Sequence, residues 1–245
     1  MLRDLASRQM DHDPRFTWRG DAVTRIENLS DIVFALALGM LVSSAERPTT
    51  FDDLSGHLLT IIPVAAGFAV LFSVWNAHFT YFRRYGVADG MIIFLNCVLL
   101  LFVLFVAYPL RFIFDGLFGY VYGMITQEWD YLQDARLTFR TSGIVMGYFT
   151  VGYALIYGVI SLMYAHALSK AEMLELTAVE KMMTRQSIIM FIAIILISLT
   201  TGALAVFTSL GAFAGCLMGV LGPMGYVVKF LARPKDVSEG AADNA

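Results

Sequence analysis

The sequence has few charged residues for its length, and this scarcity excludes most soluble proteins. Of its 245 residues, 15% are charged and 58% are hydrophobic, whereas a soluble domain has about 25% charged residues. The formal net charge of -3 is also small, so there is no basic surface to suggest a nucleic-acid partner. The composition predicts a polytopic membrane protein whose surroundings are the lipid bilayer.

Cysteine is scarce as well. Cys97 and Cys216 each lie in an apolar run, without a second cysteine or a histidine at ligand spacing. This spacing argues against a disulfide and against a metal site, and we expect two buried thiols and no cofactor. Residues 1–24 lack the apolar core of a cleavable secretion signal, so the amino terminus is expected to stay in the cytoplasm.

Long apolar runs are what the sequence does contain. A helix needs about 20 residues to cross the hydrocarbon core of a bilayer, and six stretches qualify. We therefore predict an all-α fold with six transmembrane helices, at about 26–45, 58–82, 90–113, 142–168, 186–208 and 210–231. Residues 26–231 would form one transmembrane domain, after a cytoplasmic segment at 1–25 and before a disordered tail at 232–245.

The basic residues indicate the orientation of these spans. Of 17 Lys and Arg residues, the side opposite the termini would receive only Arg47, Arg111, Arg136 and Arg140. By the positive-inside rule, both termini are predicted to be cytoplasmic, which suits a multi-pass protein of a bacterial cell membrane. Between the third and fourth spans, residues 114–141 include Tyr120, Tyr122, Trp129 and Tyr131, aromatic residues typical of an interfacial helix.

Polar side chains inside the first three spans fall at one depth when each helix residue is given its 1.5 Å rise. The set is Ser30, Asp31, Trp75, His78 and Asn96. Such residues are expensive in a bilayer and persist where they face protein or water. We expect these residues to form an interhelical hydrogen-bond network that fixes the first helix. The network could have a purely structural role, or it could act as a switch that titrates through His78.

The remainder of the first span has a regular apolar face. Leu36, Met40 and Ser43 follow the i, i+4, i+7 spacing of one helical face, and the neighbouring Ala35, Ala37 and Gly39 would allow close approach of helices. A ring of such helices would close an apolar constriction at Leu36 that gates by dewetting. Packing within a single bundle is the alternative explanation.

At these residues the chain resembles the transmembrane protein 175 family, which comprises potassium channels of endolysosomes and bacterial relatives. The family begins its first helix with Arg, three residues, then Phe-Ser-Asp, and here Arg25, Ser30 and Asp31 match while Leu29 replaces Phe. A Trp and a His of the second helix match Trp75 and His78. The Asn and Pro of the third helix match Asn96 and Pro109.

The resemblance implies a homotetramer in which the first helix of each subunit lines a cation pore. It implies a constriction at Leu36, further lining residues at Met40 and Ser43, and a polar network around the helix that includes Arg25. Gly39 stands where bacterial relatives often carry a Thr whose hydroxyl helps to favour potassium. The implied permeant ion is therefore a monovalent cation, with K⁺ as the expectation.

Three other interpretations compete with a channel whose pore is lined by the first helix. The string Thr150 to Ala154 looks like the TVGYG filter of other potassium channels, but it lies inside a continuous apolar span, so we predict ordinary helix. A proton-coupled secondary transporter could use Asp31 and His78, although transporters usually show broken helices and internal repeats. An enzyme is not expected, because no paired catalytic groups share one depth.

Overall fold

A computed structural model describes residues 15–20, 22–43, 50–51, 61–127, 138–208, 214–215 and 217–218. These residues form five α-helices and no strand, which confirms the all-α class. The helices are α1 (Arg25–Ser43), α2 (Ile61–Tyr85), α3 (Gly90–Thr126), α4 (Phe139–Ser169) and α5 (Ala178–Phe207).

Four of these helices, α2 to α5, are long and apolar enough to cross a membrane. Helix α1 has 19 residues and is not one of the four; it carries Arg25, Glu27 and Asp31 in its first two turns. The predicted sixth span at 210–231 falls almost wholly outside the described residues. So do most of the amino-terminal segment 1–25 and the whole predicted tail 232–245.

Two helices start at sequence-encoded caps of the same type. At the start of α1, the Thr24 backbone N–H donates to Glu27 Oε1 at 2.9 Å and the Glu27 N–H donates to Thr24 Oγ1 at 3.3 Å. At the start of α5, Thr177 and Glu180 make the same reciprocal pair. In each case the Thr-x-x-Glu capping box satisfies two backbone donors that a helix start leaves open.

Helix α3 is longer than the sequence predicts. It passes the expected boundary at residue 113 and runs through Pro109 to Thr126, where Gln127 caps it in the left-handed conformation. Residues 114–126 offer no proline to stop the helix, so the first half of the stretch that we expected as an outer loop continues it, including Tyr120 and Tyr122. Trp129 and Tyr131 lie outside the described residues.

The helices alternate in direction, so that α1, α3 and α5 begin at the end of the bundle where α2 and α4 finish. We call this the near end and the other the far end. Helix α1 packs against α2 and α3, α3 also packs against α4, and α4 packs against α5. The string Thr150 to Ala154 lies within α4, as predicted, and so is ordinary helix.

Close approach between α4 and α5 depends on residues without side chains. A Cβ at Gly202 would sit 2.3 Å from Thr150 Oγ1, and one at Gly147 would sit 2.6 Å from Val206. By contrast, a Cβ at Gly158 would meet nothing within 4 Å. The first two positions set the interhelical distance, whereas Gly158 does not.

The expectation of a buried thiol at Cys97 is wrong, since this side chain is exposed. Apolar surroundings in the sequence do not imply burial in a membrane protein, because lipid or a second subunit can cover an apolar surface as well as the protein core can. Cys216 lies outside the described residues.

Candidate functional site

Helix α1 has one face in the bundle and one face exposed. The buried face carries Glu27, Ser30, Phe34, Ala37 and Leu41, spaced three or four residues apart. The exposed large apolar residues include Leu29, Ile32 and Leu36, of which Leu36 is 57% exposed. This division is the geometry of a helix that one protomer covers on one side only.

Two of the four predicted pore-lining residues lie on the exposed face of α1. Leu36 lies on the exposed face, and a Cβ at Gly39 would meet nothing within 4 Å. Met40 is half-buried at the margin. The side chain of Ser43 lies outside the described residues.

A chain of hydrogen bonds joins α1 to α2 and α3 through the predicted polar layer. Asn96 Nδ2 donates to Ser30 Oγ at 2.9 Å, and Ser30 Oγ donates to the Ile26 carbonyl at 2.8 Å. Asn96 Oδ1 lies 2.9 Å from His78 Nε2; because this oxygen can only accept, His78 must donate through Nε2. The three side chains are buried, so their pairing fixes the rotation of α1 against its neighbours.

Asp31 joins the same layer from the exposed side. The Trp75 indole N–H donates to Asp31 Oδ1 at 2.9 Å, and the carboxylate is otherwise exposed. No hydrogen bond joins Asp31 to His78 among the described residues, so the two groups of the transporter alternative are not in direct contact. Arg25 is exposed at the first residue of α1 and stands outside this chain of bonds.

Below the polar layer, a buried ion pair that the sequence reading missed secures the start of α1. Arg83 at the end of α2 donates through Nη2 to Glu27 Oε2 and through Nη1 to the Gly20 carbonyl. Both charged side chains are nearly buried. Glu27 thus serves two purposes, since it caps its own helix and neutralises an arginine of the next one.

Residues 15–20 extend this connection across the near end. Arg19 makes a bidentate pair with Glu180 of α5, at 2.9 and 3.1 Å, and its backbone N–H donates to the Arg83 carbonyl at 3.2 Å. Phe16 is buried, edge-on to Tyr85. A continuous set of contacts therefore runs from the start of α5 to the start of α1.

A third charged cluster joins α3 to α4 at the near end. Asp89 caps α3 by accepting from the Ile92 N–H at 3.0 Å, and it also binds Lys170 and His166 at the end of α4. The bonds from Lys170 and then from His166 hold the pKa of Asp89 well below its usual range. The carboxylate is therefore ionised at any physiological pH.

At the far end, one arginine of α3 reaches the last turn of α1. Arg111 Nη1 donates to the Leu41 carbonyl at 3.0 Å and lies 3.4 Å from the Val42 carbonyl. Arg111 Nε donates to Asp115 Oδ2 at 3.2 Å. Helix α1 is thus held by charged groups at both ends and by the polar layer between them.

The contacts described above hold α1 in a fixed position against α2 and α3. No group of three or more His, Cys, Asp or Glu that could hold a metal occurs among the residues described. The sequence contains one indication of the missed ion pairs, namely the two Thr-x-x-Glu patterns that include their glutamates. No local pattern indicates which arginine each glutamate pairs with.

Comparison with known proteins places these elements in a family context. Residues 25–106, which span α1, α2 and the polar layer, match the sequence model of the endosomal/lysosomal potassium channel TMEM175. A protein of Marivirga tractuosa described as a potassium channel is 36% identical over 180 residues, covering 72% of each chain. A crystal structure of a variant of the potassium channel MtTMEM175, bound to a nanobody–MBP fusion, aligns with a TM-score of 0.74 and 31% identity over 90% of this chain and 97% of that one.

Proposed function

Because the chain belongs to the TMEM175 family of endosomal/lysosomal potassium channels, we propose that its α1 helices line a shared pore and that Leu36 forms the constriction. The protein is a multi-pass membrane protein and a passive potassium channel, not an enzyme. The proposal concerns the residues that make the pore, the number of subunits and the membrane in which the channel works.

The exposed face of α1 is the observation that carries the pore assignment. Leu36 is on this face and Gly39 opens onto free space, so a protomer alone leaves the helix half covered. One chain supplies one such helix, and a closed ring requires several copies. A homotetramer gives the constriction four identical leucines around one axis, narrow enough to exclude water when the ring tightens.

Lipid could also cover an exposed apolar face, but the near end of α1 argues against it. Arg25 is exposed and lies on the same side of the helix as Leu36, eleven residues earlier. Asp31 is also exposed but lies at the edge of this face, where it accepts from Trp75. A charged group facing acyl chains costs at least about 2.5 kcal/mol on insertion scales. A charged side chain that faces a water-filled vestibule does not incur this cost. In such a vestibule the negative charge of Asp31 would attract cations.

The near end is the cytoplasmic side in this proposal, and the membrane is the bacterial cytoplasmic membrane. Support comes from the basic residues at the near end, which include Arg83, Arg84, Lys170, Lys181 and Arg185. This accumulation follows the positive-inside rule. The permeant ion is proposed to be K⁺, although Gly39 offers it no hydroxyl ligand.

Substitution of the constriction residue tests the pore assignment. Leu36→Ala should raise the unitary conductance of the reconstituted protein in symmetric potassium, because a shorter side chain widens the narrowest point. Leu162→Ala is a matched control, since Leu162 on α4 is also 57% exposed and would face lipid. Equal conductance in the two variants would contradict the assignment of Leu36.

A further inference from the structure

We propose that Arg111 is a positioning residue for the pore: it holds the far end of α1 away from the channel axis and so sets the width at Leu36. The inference rests on the proposed function, in which α1 lines the pore. Arg111 belongs to α3 and lies on the buried side of α1, so it reaches the constriction only through the helix that it binds.

The first argument comes from the backbone groups at the end of α1. The last four carbonyls of a helix have no intrahelical donor, and an unsatisfied carbonyl near the hydrocarbon region is costly. Arg111 supplies a donor to the carbonyls of Leu41 and Val42. A cation is also favoured by the helix dipole at this terminus, so the contact suits both the hydrogen-bonding groups and the charge.

The second argument is that the side chain of Leu41 is secured at the same place. Leu41 is fully buried, and its methyl groups lie so close to Gly67 of α2 that a Cβ there would be 3.3 Å away. Phe114 of α3 closes the same notch, at 3.5 Å from that Cβ position. Backbone and side chain of Leu41 are therefore both anchored, five residues beyond Leu36.

The direction of the effect follows from the two faces of the helix. Leu41 and Arg111 lie on the bundle side of α1, whereas Leu36 lies on the exposed side. The anchor therefore draws the helix towards α2 and α3 and opposes the tendency of four apolar edges to come together and expel water. Asp115, bound to Arg111 Nε, balances the positive charge that would otherwise stand near a cation pore.

A double-mutant cycle between Arg111 and Leu36 tests the proposal in the assembled channel. Single-channel recordings in symmetric potassium would compare the wild type, Arg111→Gln, Leu36→Ala and the double variant. Arg111→Gln is expected to lower the unitary conductance at least twofold by letting the constriction narrow. The same substitution in the Leu36→Ala background should have little effect, because Leu36 then no longer limits the current.

The controls separate this proposal from the pore assignment itself. Arg140→Gln removes an arginine that is also at the far end but is exposed, at the start of α4, and should leave the conductance unchanged. If Leu36→Ala does not change the conductance, the pore assignment fails. If Leu36→Ala raises the conductance but Arg111→Gln has the same conductance as Arg140→Gln, only the positioning role of Arg111 is overturned. An equal fall in both backgrounds also overturns it, because Arg111 would then act elsewhere.

If Arg111→Gln does not assemble, Arg111→Lys provides the same test. A lysine keeps the charge but presents a single ammonium group, which cannot hold the Leu41 carbonyl and Asp115 in the fixed fork of a guanidinium. The proposal is supported if Arg111→Lys reduces the conductance and this reduction disappears in the Leu36→Ala background. Wild-type conductance in Arg111→Lys with an intact oligomer overturns it.

Discussion

Glu27→Gln should strongly destabilise the assembled protein, because it removes a charge and leaves the helix cap in place. The new amide oxygen can still accept from Thr24, which Glu27 does now at 2.9 Å. The amide nitrogen, however, would face the donors of Arg83. The substitution therefore isolates the ion pair from the capping box.

The size of the effect follows from the burial of this pair. The side chains of Arg83 and Glu27 are 10% and 9% exposed, and removing one partner of a buried pair costs about 3–5 kcal/mol. At about 2–4 °C per kcal/mol for a chain of this size, the melting temperature should fall by roughly 6–20 °C. Among the residues that the structure describes, the buried Nε of Arg83 has no hydrogen-bond partner, so few acceptors would remain for the guanidinium.

The fall in melting temperature can be measured by heating the protein in detergent and monitoring the loss of the oligomer by size-exclusion chromatography. Arg185→Gln is the control, since Arg185 is exposed on α5 and should change the melting temperature very little. The double variant Glu27→Gln with Arg83→Met should lose less than the sum of the single losses, because no charge is left unpaired. Additive losses, or a Glu27→Gln protein as stable as Arg185→Gln, would refute the reasoning.

Three further predictions use the same assay. Asn96→Ala should cost about 1–3 kcal/mol, because it leaves a buried histidine donor unpaired; wild-type stability would show that the polar layer contributes nothing. Gly202→Ala should destabilise the protein by about 1–3 kcal/mol through overpacking, while Gly158→Ala should not, and equal effects would contradict the close contact between α4 and α5. Asp89→Asn should lower stability at every pH from about 5 to 8 relative to Glu172→Gln; because the folded-state pKa of Asp89 is depressed, the loss should shrink only below about pH 4. A loss confined to alkaline pH would be inconsistent with that depressed pKa.

The polar layer shows what could be predicted from the sequence. Ser30, Asp31, Trp75, His78 and Asn96 can be grouped by their depth in the spans. The structure joins them in two sets of hydrogen bonds, Trp75 with Asp31, and Asn96 with both Ser30 and His78. The grouping is possible because a membrane helix has a fixed rise and polar residues in it are rare. Depth is almost the only coordinate needed to match such residues between neighbouring helices.

The ion pairs at the helix ends could not be predicted in the same way. Glu27 and Arg83 are 56 residues apart, and Arg19 and Glu180 are 161 apart. Charged residues are common at the ends of spans, so depth leaves many possible partners. Which pairs form depends on which helices are neighbours, and hydropathy does not encode that arrangement.

Hydropathy also gave little information about helix ends and surfaces. Hydropathy reports where an apolar segment lies and how long it is. It therefore did not predict that α3 continues past residue 113 to Thr126, because the sequence there becomes less apolar while the helix continues. It likewise could not indicate that Cys97 is exposed, because an apolar residue can face the core, another subunit or lipid.

Cysteine accessibility along α1 tests the central claim most directly. In a Cys97→Ser background, Leu36→Cys and Ala37→Cys channels would be exposed to a positively charged, water-soluble thiol reagent during recording. We predict that the reagent blocks current through Leu36→Cys and leaves Ala37→Cys unaffected, because Ala37 is fully buried against the bundle. Unmodified current through Leu36→Cys, or block of Ala37→Cys in its place, would contradict a pore lined by this face of α1.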